Sequence, residues 1–197
     1  MTVPNVSRET AVLLERFERL VRGENERQNL VAPSTISDFK TRHVADAAQL
    51  IALAETGRCW CDIGSGAGLP GIVIALMSGE PMTLVEPRRL RADFLRRTCA
   101  DLGLDQVEII EARAERVSGC YDVITARAVA ELGKLFTMTE HLAHPGTRWI
   151  LPKGRSAKKE LDAAMMSWQG EFRLVPSATS SEADILVAER VKRKGKR

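Results

Sequence analysis

Residues 62 to 71 read DIGSGAGLPG. A carboxylate, Asp62, stands two positions ahead of the first of four closely spaced glycines, Gly64, Gly66, Gly68 and Gly71. Backbone without side chains can turn tightly and come close against a ligand, and the acid sets which charge that ligand can carry. A second carboxylate, Glu86, follows about 20 residues after the loop, at the distance where an acid accepts from ribose hydroxyls. Further along, Arg127 follows the run DVITA, and His43 and Asp46 are spaced to share one helical face. Lys153 and Arg155 flank Gly154 near another apolar run. Two acids, a glycine loop and scattered cations suit capture of a nucleoside-containing molecule better than hydrolysis or nucleophilic catalysis.

These residues need a scaffold, and the hydrophobic pattern supplies one. Val12, Leu13, Phe17, Leu20 and Val21 recur at helical spacing over residues 7–22, with Ser7 as the N-cap. A loop broken by Pro33 follows, then a second helix over about 38–54 carrying His43 and Asp46. From residue 58 strands alternate with helices: RCWCDI, MTLVE, VEIIEA, YDVITA and RWILPK are strands, and helices are expected over 70–79, 88–103, 129–142 and 156–168. FRLVPS and ADILVAER close the chain as strands with no helix between them. Crossover helices imply a mostly parallel sheet covered on both faces, and the final pair implies an antiparallel strand near one edge. The organisation expected is an N-terminal helical cap over 1–57, an α/β domain over 58–190 and a basic tail over 191–197.

In such a sheet the ligand lies beyond the carboxyl ends of the strands, first of all at the loop after strand one. Gly66, Gly68 and Gly71 fit the dinucleotide pattern G-x-G-x-x-G. Asp62, Gly64, Gly66 and Gly68 equally fit D-x-G-x-G-x-G, the loop of S-adenosylmethionine-dependent methyltransferases. A pyrophosphate avoids a neighbouring carboxylate, whereas a ligand bearing an ammonium and a sulfonium favours one, so Asp62 points to the methyl donor.

The 197 residues are 44% hydrophobic, enough for one full core with at most a small extension. No basic start leads into an apolar stretch, and no apolar run is long enough for a membrane, so a cytoplasmic, soluble protein is expected. The four cysteines, at 59, 61, 99 and 120, have neither disulfide nor zinc spacing and read as small apolar residues, with no metal expected. A formal charge of +3 is mild, but the cations cluster: Arg88, Arg89, Arg91, Arg96 and Arg97; then Lys153, Arg155, Lys158 and Lys159; then the tail. Three such runs lean toward a polyanionic partner. A small-molecule methyltransferase and a non-catalytic RNA- or dinucleotide-binding protein stay open on this footing.

The combination QNL (28–30), RHVADA (42–47), DIGSGAGLPG (62–71), LVEP (84–87), ARAE (112–115), DVITARAVA (122–130) and LPKG (151–154) resembles the GidB/RsmG family, bacterial methyltransferases of guanine N7 in 16S ribosomal RNA. The resemblance implies a Rossmann-like class I methyltransferase fold, a seven-stranded sheet capped by N-terminal helices. It implies S-adenosylmethionine as donor and 16S rRNA or the small ribosomal subunit as partner of a monomeric enzyme. By the same resemblance Gly64 and Leu69 touch the donor, Glu86 takes its ribose hydroxyls, Ala114 and Glu115 border its adenine, and Arg127 lies at the donor or the incoming base. His43, Asp46, Lys153 and Arg155 are the residues expected to meet RNA. Leu69 and Glu86 depart from the phenylalanine and aspartate frequent in relatives. Guanine N7 has a free in-plane lone pair, so its methylation requires alignment and no general base. That agrees with a chain showing no Cys nucleophile and no His–carboxylate dyad after strand four.

Overall fold

The computed structural model describes residues 6–195. The chain opens with helix α1 (Arg8–Gln28), whose N-cap Ser7 accepts the Thr10 N–H at 3.1 Å. Side-chain capping of this kind contributes about 1 kcal/mol. The helix outruns the apolar pattern that suggested its end at residue 22. Its last turn is polar, and Asn29 closes it in the left-handed conformation at φ 49°. The segment expected as one second helix is broken instead. A single turn, α2 (Pro33–Ile36), precedes a wide π-helical turn over Lys40–Ala45, which runs directly into α3 (Asp46–Ile51).

Seven strands follow: β1 (Trp60–Ile63), β2 (Met82–Val85), β3 (Val107–Ile110), β4 (Tyr121–Ala126), β5 (Ala143–Lys153), β6 (Trp168–Pro176) and β7 (Asp184–Arg193). Four helices connect them: α4 (Gly71–Ser78), α5 (Arg89–Leu102), α6 (Leu132–Thr139) and α7 (Ala157–Ala164). The sheet order is β3-β2-β1-β4-β5-β7-β6. Every neighbouring pair is parallel except those made by β7, which runs antiparallel to both β5 and β6. Strand β7 extends to Arg193, so part of the run expected as a basic tail is strand; Lys196 and Arg197 lie outside the described residues.

Each face of the sheet has its own core. Trp60, Leu84 and Val123 pack with Phe17, Val21 and Phe39 of the N-terminal segment and with α4 and α5. Cys61, Ile63, Val85 and Ile124 pack with Phe136, Trp149 and Trp168 on the other side. The N-terminal helices therefore share the α4–α5 core. Strand alternation then places the polar residues. Asp62 shares a face with Trp60, Glu86 with Leu84, and Arg127 with Val123, so all three belong to the side covered by α3, α4 and α5. The cysteines divide: Cys61 and Cys99 are buried as expected, whereas Cys59 and Cys120 are exposed and fill no core.

Candidate active site

Strand β1 has β2 on one side and β4 on the other, and the register sets Ile63 beside Ala126. The chain segments leaving β1 and β4 thus emerge side by side, at the point where the strand order reverses, which is where an α/β sheet opens a crevice. Segment 64–70 leaves β1 with Gly64 at φ +69°. A Cβ at Gly64 would stand 2.6 Å from Val129 Cγ2, so only glycine lets the two segments meet. At the loop's far end a Cβ on Gly71 would lie 2.4 Å from Leu84 Cδ2 and 2.9 Å from Asp62 Oδ2. Its absence allows α4 to start directly against the sheet.

Asp62 has no exposed surface. Its Oδ2 accepts the Gly71 N–H at 3.2 Å, while Oδ1 is buried with no partner. Burial raises its pKa to about 7, against the lowering effect of the Gly71 and Ser65 hydrogen bonds and of the Arg127 charge. The carboxylate therefore sits beneath the loop rather than at its open edge, with one oxygen unspent. Glu86, also buried, accepts from the Gly66 N–H at 3.0 Å and the Arg88 N–H at 2.9 Å, one on each oxygen. A carboxylate has about four acceptor positions, so both oxygens keep capacity.

Two cavities flank the segment after β4. One, of about 270 Å³, is lined by Gly64, Val85, Pro87, Ala114, Glu115 and Val129. Its wall mixes the apolar Ile63, Val85 and Met138 with the charged Arg113, Glu115 and Lys134. Ala114 and Glu115 begin a 3₁₀ turn there, whose first N–H groups have no partner within the turn. The other, of about 470 Å³, is lined by Asp46, Arg127, Glu131, Lys153, Ser177 and Asp184. Val129 and Ala130 belong to both walls. Ala128, just before them, holds φ 56° without being glycine, a conformation that persists only where neighbours enforce it. They do: Lys153 Nζ donates to the Ala130 carbonyl at 3.2 Å, and Arg127 is held from the opposite side.

That hold comes from the wide turn of the N-terminal segment. Arg127 Nη1 donates to His43 Nδ1 at 3.0 Å, and His43 Nε2 is 3.0 Å from Thr35 Oγ1. Phe39 meets the imidazole edge-on with centroids 5.0 Å apart. Burial first, then the Arg127 charge, lowers the His43 pKa to about 4, so the ring is neutral. Asp46 Oδ2 stands 4.0 Å from Arg127 Nη1, while its Oδ1 accepts from Gln49 Nε2 and Thr179 Oγ1, each at 2.9 Å. Burial also works against the Arg127 charge, and Asp46 and Asp62 oppose that effect.

The structure thus sets Gly64, Ala114 and Glu115 along one cavity and Asp46 and Arg127 along the other, while Asp62, Gly66, Gly68 and Glu86 lie in and beneath the loop that borders them and line neither. Four expectations change. Leu69 is buried in the α4–α5 core, so any approach to a ligand is through its backbone. His43 is enclosed, with both ring nitrogens spent internally, and does not face RNA. Lys153 pairs with Glu160 at 2.8 Å and braces Ala130 instead of offering a free charge. Arg155 is exposed and pairs with Glu182, and neither residue lines the cavity, although their neighbours Gly154 and Ala183 do. Gln49, Thr35 and Thr179 were not anticipated. Gln49 had a signal in its helical spacing from Asp46; Thr35, in the single turn α2 that the sequence reads as loop, and Thr179, between β6 and β7, had none.

The sequence matches the family described as rRNA small subunit methyltransferase G, GidB, over residues 11–184. The chain belongs to this family. Among relatives of this GidB chain, the ribosomal RNA small subunit methyltransferase G of Rhizorhabdus wittichii is 48% identical over 196 residues, covering 97% of this chain and 90% of its own. That of Erythrobacter litoralis is 45% identical, covering 88% and 87%. The fold is that of solved methyltransferases. A SAM-dependent methyltransferase from Aquifex aeolicus superposes with TM-score 0.63 at 14% identity, covering 81% of this chain and 99% of that one. An MtNAS variant in complex with S-adenosylmethionine superposes with TM-score 0.60 at 19% identity, covering 91% and 76%. Among the described residues of this GidB-family chain, no helix is long and apolar enough to cross a membrane.

Proposed function

We propose that the protein transfers a methyl group from S-adenosylmethionine to N7 of one guanine in 16S ribosomal RNA of the small subunit. The observation that carries this reading is the pair of cavities set side by side at the switch point and divided by the Arg127–Glu131 segment. One cavity suits a nucleoside and the other an incoming base.

The residues fit the donor. The orphaned Asp62 Oδ1 is an acceptor awaiting a cationic group, and a bound ammonium would supply one. Glu86 takes the ribose hydroxyls with its remaining lone pairs, and Ala114 and Glu115 border the adenine in the slot opened by Gly64. S-adenosylmethionine supplies an electrophilic methyl on a positively charged sulfur. The chain's task is then placement: N7 carries no proton at neutral pH, so no group has to remove one. Good alignment of two reactants lowers a barrier by roughly 7–11 kcal/mol. Arg127 lines the acceptor cavity and donates to guanine O6, the acceptor beside N7.

The cations sort by their partners. Arg96 and Arg97 on α5 are matched by Asp93, Glu111 and Glu24, and Arg16 is matched by Asp101. Lys134 and Lys159, which line a groove of about 620 Å³ adjoining the acceptor cavity at Glu131 and Glu160, form no ion pair with any described residue. These two lysines are the phosphate contacts in this reading. The protein acts as a cytoplasmic monomer, without a metal, on 16S rRNA or the assembled small subunit. Mapping of modified guanines in small-subunit RNA from cells lacking the protein tests the assignment. One N7-methylguanine should vanish and return on complementation; an unchanged pattern would overturn it.

A further inference from the structure

Arg127 is a cation held in place chiefly by a neutral acceptor. Its short contact is the 3.0 Å bond to His43 Nδ1, while the nearest carboxylate, Asp46, stands at 4.0 Å. A guanidinium has five N–H donors and no acceptor, so the ring nitrogen that meets it must carry a lone pair. The proton of the imidazole is therefore on Nε2, and Nε2–H donates to Thr35 Oγ1 at 3.0 Å. Thr35 Oγ1 in turn donates to the Ala32 carbonyl at 2.9 Å, so its hydrogen points away from the ring. Each link fixes the direction of the next, from the Ala32 carbonyl through Thr35 and His43 to Arg127.

The local fold is built for this chain. The π-helical turn over Lys40–Ala45 widens the helix at His43, and the edge-on contact with Phe39 fixes the ring plane. Single wide turns of this kind recur at functional sites. Among the described residues no other acceptor lies within hydrogen-bond distance of Arg127, so its remaining donors are left for whatever enters the cavity. A carboxylate in the place of His43 would orient the arginine equally well but would neutralise it. A neutral imidazole orients it and adds no negative charge to that of Asp46 and Asp62 nearby.

We propose that His43, as its Nε2–H tautomer locked by Thr35, is the positioning residue that aims the Arg127 guanidinium at the base in the acceptor cavity. The inference rests on the methyltransferase reading above and adds a role to a residue that touches neither donor nor RNA. An asparagine can present its side-chain oxygen in place of Nδ1, whereas leucine fills the space with no acceptor.

The test compares wild-type enzyme with His43→Asn and His43→Leu, measuring kcat and KM on small-subunit RNA and donor affinity by calorimetry. A misaimed group costs about 100-fold in rate. The expected result is that loss in kcat for His43→Leu, with donor affinity and KM for RNA little changed, and recovery of most of it in His43→Asn. Wild-type kcat in His43→Leu, or equal losses in both variants, would overturn the proposal. The tautomer is read independently on the wild-type protein by nitrogen-15 NMR of the imidazole. A proton on Nε2 supports the proposal and a proton on Nδ1 ends it, whether or not the variants fold. Absence of methyl transfer by the wild type would instead defeat the underlying function, and the NMR result would stand apart from it.

Discussion

At the scale of single residues, Asp62 shows how burial and charge are traded. An unfolded chain releases this proton near 3.8, whereas the folded one retains it to about 7. Between those values the folded state binds more protons, so this group makes stability fall as pH rises, with no further change above about 7. Comparing urea unfolding of wild type and Asp62→Asn from pH about 4 to about 7 checks the sign. The difference should move in the variant's favour as pH rises; a pH-independent difference would contradict it. The same titration governs ligand affinity in the opposite sense. A cationic donor prefers the ionised carboxylate, so calorimetry should show tighter binding from pH about 6 to about 8. In Asp62→Asn that dependence should vanish and affinity should drop about 10- to 100-fold, the worth of a buried charged hydrogen bond. Asp62 itself was legible from its type and place before the glycines. Its enclosure was not, because that depends on α4 starting against the sheet at Gly71, a contact between residues on different elements.

Among elements, strand and helix order was readable because each strand of the sheet's centre is a short apolar run and each helix has its own period. Strand parity even assigns Asp62, Glu86 and Arg127 to one face. The N-terminal segment was harder. RHVADA is compatible with an ordinary helix, and the wide turn that presents His43 arises from its fit against Arg127 and Phe39. The helix expected from residue 129 begins at Leu132, because Arg127–Glu131 serve as the wall between the two cavities. The start of α4 offers a direct probe. Gly71→Ala places a methyl group 2.4 Å from Leu84 and should cost about 1–3 kcal/mol in denaturant unfolding, with weaker donor binding as α4 backs away from Asp62. Unchanged stability and affinity would show that α4 shifts freely.

For the whole molecule, clustered cations in the sequence suggested three basic runs, but sequence cannot show which charges find partners. The α5 arginines largely do, and exposed pairs of this kind hold charge locally without adding much stability. The groove lysines do not. If RNA lies along that groove, log affinity should fall linearly with log salt, and each lysine removed should lower the slope by about 0.7–0.9. Lys134→Gln with Lys159→Gln should flatten the salt dependence accordingly, while Arg96→Gln with Arg97→Gln should leave it near wild type. Equal effects from both pairs would move the RNA off the groove.

The most direct measurement is single-turnover methyl transfer from S-adenosylmethionine to unmodified small-subunit RNA, with the product base identified by mass spectrometry, for wild type and Arg127→Ala. The expected result is one N7-methylguanine per RNA, formed about 100- to 1,000-fold more slowly when the arginine is removed, with donor binding retained. Methylation at another atom, or an Arg127→Ala enzyme as fast as wild type, would contradict a site that works by aligning a base against the donor.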